Sequence, residues 1–222
     1  MGHMNAWGRM PYTLYPNKFT EQAEMAEHDL RVVPGRTYRY YREPLYAFGA
    51  GLSLTTWSLA TPKAPPACLR SLATSGGGSD CQVSIKVSNT GGMAGDCVVM
   101  AYFKAKRSTA QWAARRARTP TPARAGEIYQ PSALLTPLKQ LFDYERVKAV
   151  DTGSSTTIHF NISAASLAEV DEASGDTVAE AGAYEVWFEY GTGSTVEDGA
   201  LLLQAEVTGA RTVVDPFPSD KP

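Results

Sequence analysis

Cysteine is scarce: Cys68, Cys81 and Cys97 are the three in 222 residues. Three are too few for a disulfide framework and lack the paired spacing of a zinc site, so at most one bridge can form. Histidine is equally rare, at three residues. His28 and His159 have no Cys or carboxylate partners at ligand spacing, so both are expected on the surface, with no metal and no cofactor implied. No apolar run approaches the ~18 residues that a bilayer-spanning helix needs, which removes a helical membrane span from the expectations. There is no P-loop, no dinucleotide-binding glycine pattern and no Ser/His/Asp order, so no familiar enzyme motif is present. The opening MGHM lacks a charged segment followed by an apolar one, so it does not read as a signal peptide. It reads as a cloning remnant, which leaves His3 uninformative.

What is present is the material of a globular protein, with 43% hydrophobic and 20% charged residues. The length suffices for one sandwich of ordinary size plus an extra segment. A formal net charge of -2 hides an asymmetry. Lys104, Lys106, Arg107, Arg115, Arg116, Arg118 and Arg124 lie together with no acid among them, a basic segment on an otherwise acidic body.

From Ser58 onward the chain reads as short strands separated by turns. Cys81, Val83, Ile85 and Val87 alternate with Gln82, Ser84, Lys86 and Ser88, the period-two pattern of a half-buried strand. Cys97 to Phe103 is a continuous apolar run of strand length, suited to the middle of a sheet. Alternation recurs at Thr157 to Ile162, Tyr184 to Tyr190 and Leu201 to Val207, with further strands expected near Ala67 to Leu72 and Leu141 to Val147. About seven strands result, the number of an all-β, immunoglobulin-like sandwich.

Two stretches stand apart. About 104–137 reads as a long basic insertion, in which Ser108 and Gln111 form a capping box ahead of a short helix from Trp112 to Arg118. Residues 1–57 are aromatic and turn-rich with little periodicity, as in an extended arm that packs on something else. The expected organisation is therefore an arm over 1–57, a sandwich over 58–210 and a tail over 211–222.

The arm carries the motifs that identify a relationship. GRMPYTLYP (Gly8 to Pro16), PGRTYRYY (Pro34 to Tyr41) and PLYAFGAGLSLTTW (Pro44 to Trp57) resemble, in order and spacing, the stretch leading out of the second domain of family 3 glycoside hydrolases of the β-xylosidase and β-glucosidase type. VSNTGGMAGDCVVMAYF (Val87 to Phe103), PLKQLFDYERV (Pro137 to Val147) and EAGAYEVWFEYG (Glu180 to Gly191) resemble that family's C-terminal fibronectin type III-like domain. The resemblance implies a fibronectin type III-like sandwich that packs against catalytic domains. It also implies a secreted or extracellular setting. The family's nucleophilic Asp and its acid/base Glu lie in domains upstream of these motifs, so no catalytic residue is expected in this chain. Ala47 stands where Pro is usual, Ala50 where a larger aromatic or His is usual, and Leu54 where Tyr is usual. In the full enzymes this loop lies near the substrate entrance.

The candidate sugar-contacting residues are Arg36, Tyr38, Tyr40, Phe48 and Trp187, because aromatic faces stack on pyranose rings and Arg donates in a fixed fork. The competing reading has Arg36, Tyr38 and Tyr40 as alternate residues of a strand filling an interdomain seam, and Trp187 packed beneath the arm or the insertion. Asp96 is expected to cap backbone N–H groups in a turn. Asn161-Ile162-Ser163 is an N-glycosylation triplet. The basic insertion is read as a solvated loop, and no nucleic-acid motif accompanies its charge, so nucleic acid is not an expected partner. Three functions follow: a non-catalytic accessory module that docks on a protein partner or catalytic domain along the arm, the C-terminal fragment of an active β-xylosidase or β-glucosidase, or a stand-alone module that binds polysaccharide.

Overall fold

The computed structural model describes residues 4–74, 80–107, 137–171, 173–191 and 200–218. Eleven strands occur among them: β1 (Trp57–Ala60), β2 (Leu72–Ala73), β3 (Cys81–Asn89), β4 (Gly95–Lys106), β5 (Gln140–Val150), β6 (Ser155–Ile162), β7 (Glu169–Val170), β8 (Thr177–Ala179), β9 (Gly182–Glu189), β10 (Leu201–Thr208) and β11 (Thr212–Asp215). They form a three-stranded sheet in the order β1-β3-β6, a five-stranded sheet in the order β2-β10-β9-β4-β5, and a small sheet in the order β11-β8-β7.

The alternation in β3 and β6 sets which side of the smaller sheet is dry. Cys81, Val83, Ile85 and Val87 are wholly buried, and Phe160 and Ile162 join them from β6. They meet Cys97, Val99, Ala101 and Phe103 of β4 and Tyr184, Val186 and Phe188 of β9 in one core cluster. Phe160 and Phe188 approach to 5.0 Å between ring centroids. This is the packing of two sheets through their inner faces expected of a sandwich. Tyr184 donates its hydroxyl to the Glu180 carbonyl at 2.8 Å, the corner that pins the start of a strand in immunoglobulin-like sandwiches.

The apolar run Cys97 to Phe103 is buried on both faces. It lies in the middle of the larger sheet, between β9 and β5. Its outward side chains, Val98, Met100 and Tyr102, form a second apolar cluster. The arm covers this outer face.

Local structure departs from the sequence expectation in several places. Ala67–Arg70 is a 3-10 turn, and only Leu72–Ala73 is strand. Pro66 heads the turn with φ -64, and a proline has no N–H to give a sheet ladder. Four short strands, β1, β7, β8 and β11, are two to four residues long, too brief for a period to register in the sequence. Trp57, at the expected end of the arm, opens β1 and is buried in the core. Thr212–Asp215, expected in the tail, pairs antiparallel with β8. The capping-box helix and most of the basic insertion lie outside the described residues.

The arm holds two single-turn helices, α1 (Phe19–Gln22) and α2 (Thr37–Tyr40), and one isolated bridge between Leu14 and Tyr46. Its two ends run side by side. Met10 donates its N–H to the Ala50 carbonyl at 2.8 Å, Gly49 to Met10 at 2.9 Å, and Leu14 to Tyr46 at 2.9 Å. Tyr15, Phe19 and Tyr41 give the arm its own aromatic cluster, with centroids 4.0 to 5.1 Å apart.

Candidate functional site

The junction between the arm and the five-stranded sheet brings aromatic rings and a buried ion pair together. The antiparallel register of β4 and β9 sets Tyr102 opposite Trp187 on the outer face, where their rings lie 6.2 Å apart and near parallel. Tyr38 from α2 meets Tyr102 edge-on at 6.2 Å. Phe48 from the arm's last loop stacks on Tyr38 at 4.5 Å. Gly49 allows this approach. It has φ +83, and a Cβ there would sit 2.8 Å from Met100 Sδ and 3.0 Å from the Tyr102 hydroxyl, so both the backbone conformation and the space require glycine.

An ion pair is enclosed in the seam. Lys139 Nζ lies 2.7 Å from Glu189 Oε1, with side chains 7% and 9% exposed. The same ammonium lies 4.1 Å from the centroid of Tyr102, over its ring, where the negative face of the π-system attracts a cation. Burial, with the Glu189 carboxylate beside it, pushes the Tyr102 hydroxyl far above its ordinary pKa. It stays protonated and donates to Met100 Sδ at 3.3 Å. Sequence reasoning missed Lys139 and Glu189. Glu189 falls on the polar alternation of its strand, and nothing in PLKQLF marks Lys139 as buried.

A small cleft opens beside this seam, about 300 Å³ of empty space including its mouth, lined by Thr13, Tyr38, Tyr41, Pro44, Ala47, Phe48, Leu138 and Lys139. The Thr13 and Tyr41 hydroxyls are buried without a partner among the described residues, a setting suited to a bound water. The lining contains no carboxylate. Among the described residues no group of three or more His, Cys, Asp or Glu is placed to hold a metal.

The structure brings Tyr38, Phe48 and Trp187 of the expected residues into one cluster and leaves Arg36 and Tyr40 out of it. The competing reading of Arg36, Tyr38 and Tyr40 as alternate residues of a strand fails locally, because Thr37–Tyr40 is the turn α2. A turn around Gly35, with φ +86, precedes it, and the Tyr15 hydroxyl accepts the N–H of Thr37 at 2.6 Å. At ~100° per residue, helical geometry turns Tyr38 and Tyr40 to different sides, where a strand would align them. Tyr40 is buried, and half-buried Arg36 donates Nη2 to the Glu24 carbonyl. Trp187 packs in the cluster beneath the arm, with its ring against Tyr102.

Other charged groups brace the fold. Asp96 accepts the Ala149 N–H at 2.8 Å and the Arg146 Nε–H at 2.9 Å, the capping role its turn suggests. Arg146 also stacks on Trp7 of the arm, 3.4 Å from the ring centroid. At the sheet's end Arg39 of the arm donates to Gln140, and Gln140 donates to Glu169 at 3.0 Å. Arg107 pairs with Glu169 and Glu180, and Arg211 with Glu180 and Asp171.

Several large apolar residues of the arm stay uncovered. Tyr12, Leu14, Leu45, Tyr46, Leu52 and Leu54 are all exposed. The backbone bridge places Leu14 beside Tyr46.

Residues 128–190 match the fibronectin type III-like domain family. The likeness extends beyond this fibronectin-like segment to nearly all of the chain. A probable exo-1,4-β-xylosidase of Aspergillus flavus is 28% identical over 222 residues, covering 95% of this chain and 25% of that protein. The exo-1,4-β-xylosidase of Emericella nidulans is 27% identical over 219 residues, with the same coverage. Among solved structures, a GH3 exo-β-xylosidase in complex with a xylobiose aziridine probe superimposes with a TM-score of 0.70, at 23% identity, over 98% of this chain and 26% of that one. β-Glucosidase 3B of Thermotoga neapolitana has a TM-score of 0.50 and 26% identity, over 82% of this chain and 20% of that one. The chain thus spans about a quarter of the length of the curated relatives it matches, in their C-terminal region. Its fold is that of the fibronectin type III-like module of family 3 glycoside hydrolases.

Proposed function

We propose that this chain is a non-catalytic docking module that stabilises and positions the catalytic part of a secreted β-xylosidase-type glycoside hydrolase. The carrying observation is an arm that is anchored on the sandwich yet keeps large apolar residues exposed. Tyr38, Phe48, Gly49 and Arg39 fix it to the sandwich, while Tyr12, Leu14, Leu45, Tyr46, Leu52 and Leu54 are exposed. A concentration of apolar side chains of this kind marks an interface, and the catalytic domain is the occupant suggested by the relatives' greater length.

Glycoside hydrolysis needs two carboxyl groups held across a scissile bond. Glu189, Glu169, Glu180, Asp171 and Asp96 are each engaged by a cation, and the cleft offers none. A stand-alone polysaccharide platform has less support, because Tyr38 and Phe48 spend their faces on each other.

The test is an assay of the isolated chain and of the natural protein captured with an antibody against it. The isolated chain is expected to leave a chromogenic β-xyloside intact. The natural protein is expected to cleave it and to run several-fold above 23.9 kDa, either covalently or with its partner. Turnover by the isolated chain would sink the non-catalytic reading. A natural protein of this size running alone would sink the docking reading.

A further inference from the structure

We infer that Asn161 is an N-glycan acceptor, placed on the open edge of the sandwich opposite the docking arm. Asn161-Ile162-Ser163 is the only Asn-X-Ser/Thr triplet in the sequence. The structure puts it where a glycan fits without disturbing the fold. Asn161 is exposed near the end of β6, while its neighbour Ile162 is wholly buried, so the pleat turns the asparagine outward. Its Oδ1 accepts a long hydrogen bond of 3.4 Å from Gln82 Nε2. Its amide nitrogen, the atom to which a sugar is joined, has no partner among the described residues. Around it, Gln82, Ser84, Lys86 and Ser88 pair in register with Asn161, His159, Thr157 and Ser155, a polar ladder on the outer face.

Two further observations agree. Among the described residues β6 pairs only with β3, so its other side is a free sheet edge, and a bulky polar group there blocks strand addition by another chain. Cys68 and Cys81 form a disulfide, and such bonds persist in the oxidising secretory compartments where N-glycosylation occurs. The arm lies on the outer face of the other sheet, so a glycan at Asn161 and a partner on the arm do not compete.

The co-reactant is a lipid-pyrophosphate-linked oligosaccharide, supplied with its transferase as the nascent chain enters that compartment. Asn161 Nδ2 attacks C1 of the reducing-end sugar. The N–C1 bond forms, the C1–O bond to the pyrophosphate breaks, the lipid pyrophosphate leaves, and the amide nitrogen loses one proton to a base.

The full chain, secreted from yeast behind a leader peptide, would be analysed by intact mass and peptide mapping, before and after treatment with peptide N-glycosidase F. The expected result is a heterogeneous mass increase on the Asn161 peptide that the glycosidase removes, leaving aspartate at that position. N161Q and S163A should lack the increase, and S163T should keep it. N161Q made in bacteria should unfold at the same midpoint as the unsubstituted bacterial protein, which separates glycan loss from misfolding. A secreted, folded chain with its disulfide formed and Asn161 unmodified would overturn the inference, as would a glycosidase-sensitive mass that survives in N161Q. This outcome is independent of whether the arm docks on a catalytic domain.

Discussion

Lys139 and Glu189 are nearly enclosed by Tyr102, Gly49 and Met100, so a charge left without its partner regains little hydration. Breaking such a pair costs ~3–5 kcal/mol, whereas replacing both ions by apolar groups of similar volume costs far less. K139M is therefore expected to lower unfolding stability in urea by about that amount. K139M/E189L should recover much of it. Asp96 makes a different prediction. The Ala149 N–H, joined by Arg146 and working against burial, holds this carboxyl below its ordinary range. A folded pKa below the unfolded value means stability that is complete above the unfolded value, ~3.9, and is lost as pH falls through the folded one. D96N should thus cost on the order of 1 kcal/mol at neutral pH, a figure discounted for the solvent near the pair. The two proteins should converge in denaturant titrations as the pH drops below about 4. Asp29 and Asp171 are also depressed, Asp171 against its own burial by the Ser174 and Ala173 N–H groups and Arg211, so some acid sensitivity remains in D96N.

The 3-10 turn at Ala67–Arg70 and strand β3 are joined by the Cys68–Cys81 disulfide across a sequence separation of 13. A loop of that size constrains the unfolded chain by ~3 kcal/mol in the chain-entropy account. Reduction, or the C68S/C81S pair, is expected to lower stability by ~2–3 kcal/mol while leaving the sandwich cooperative. Cys97 is buried on the inner face of β4, and burial pushes its thiol up to about 12 despite the nearby Arg9. Thiol titration without reductant should find no reactive group in the folded protein and one after denaturation. Strands three, four, six, nine and ten were legible because each is long enough to show alternation or a continuous apolar run. The turn α2 was not. Its four residues are too few for a helical period to register, and the Pro34-Gly35 corner with the Tyr15 hydroxyl bond winds them into a turn.

A sandwich has two outer faces, and this one treats them oppositely. The face of β1-β3-β6 carries the polar ladder from Gln82 to Ser88, and the face of the larger sheet carries Met100, Tyr102 and Trp187 under the arm. Replacing exposed Leu45 and Tyr46 with Asp touches neither the core nor the seam, so L45D/Y46D should change stability by no more than ~0.5 kcal/mol. The same pair should abolish whatever association the arm supports, read as a loss of co-purified catalytic domain or of concentration-dependent mass in sedimentation. Association that survives the double substitution would place the interface elsewhere.

The order of polar and apolar residues was enough to specify an all-β sandwich, its longer strands and the inward side of each, because strand periodicity is local and survives without knowledge of the fold. The motifs of the arm were enough to relate the chain to family 3 glycoside hydrolases. Which aromatic rings touch, and which charges lose water, depends on segments far apart in sequence. Tyr38, Phe48, Tyr102, Lys139 and Trp187 come from five separate stretches. Their meeting is fixed by β4–β9 register and by how the irregular arm lies across the sheet, and no local pattern encodes either.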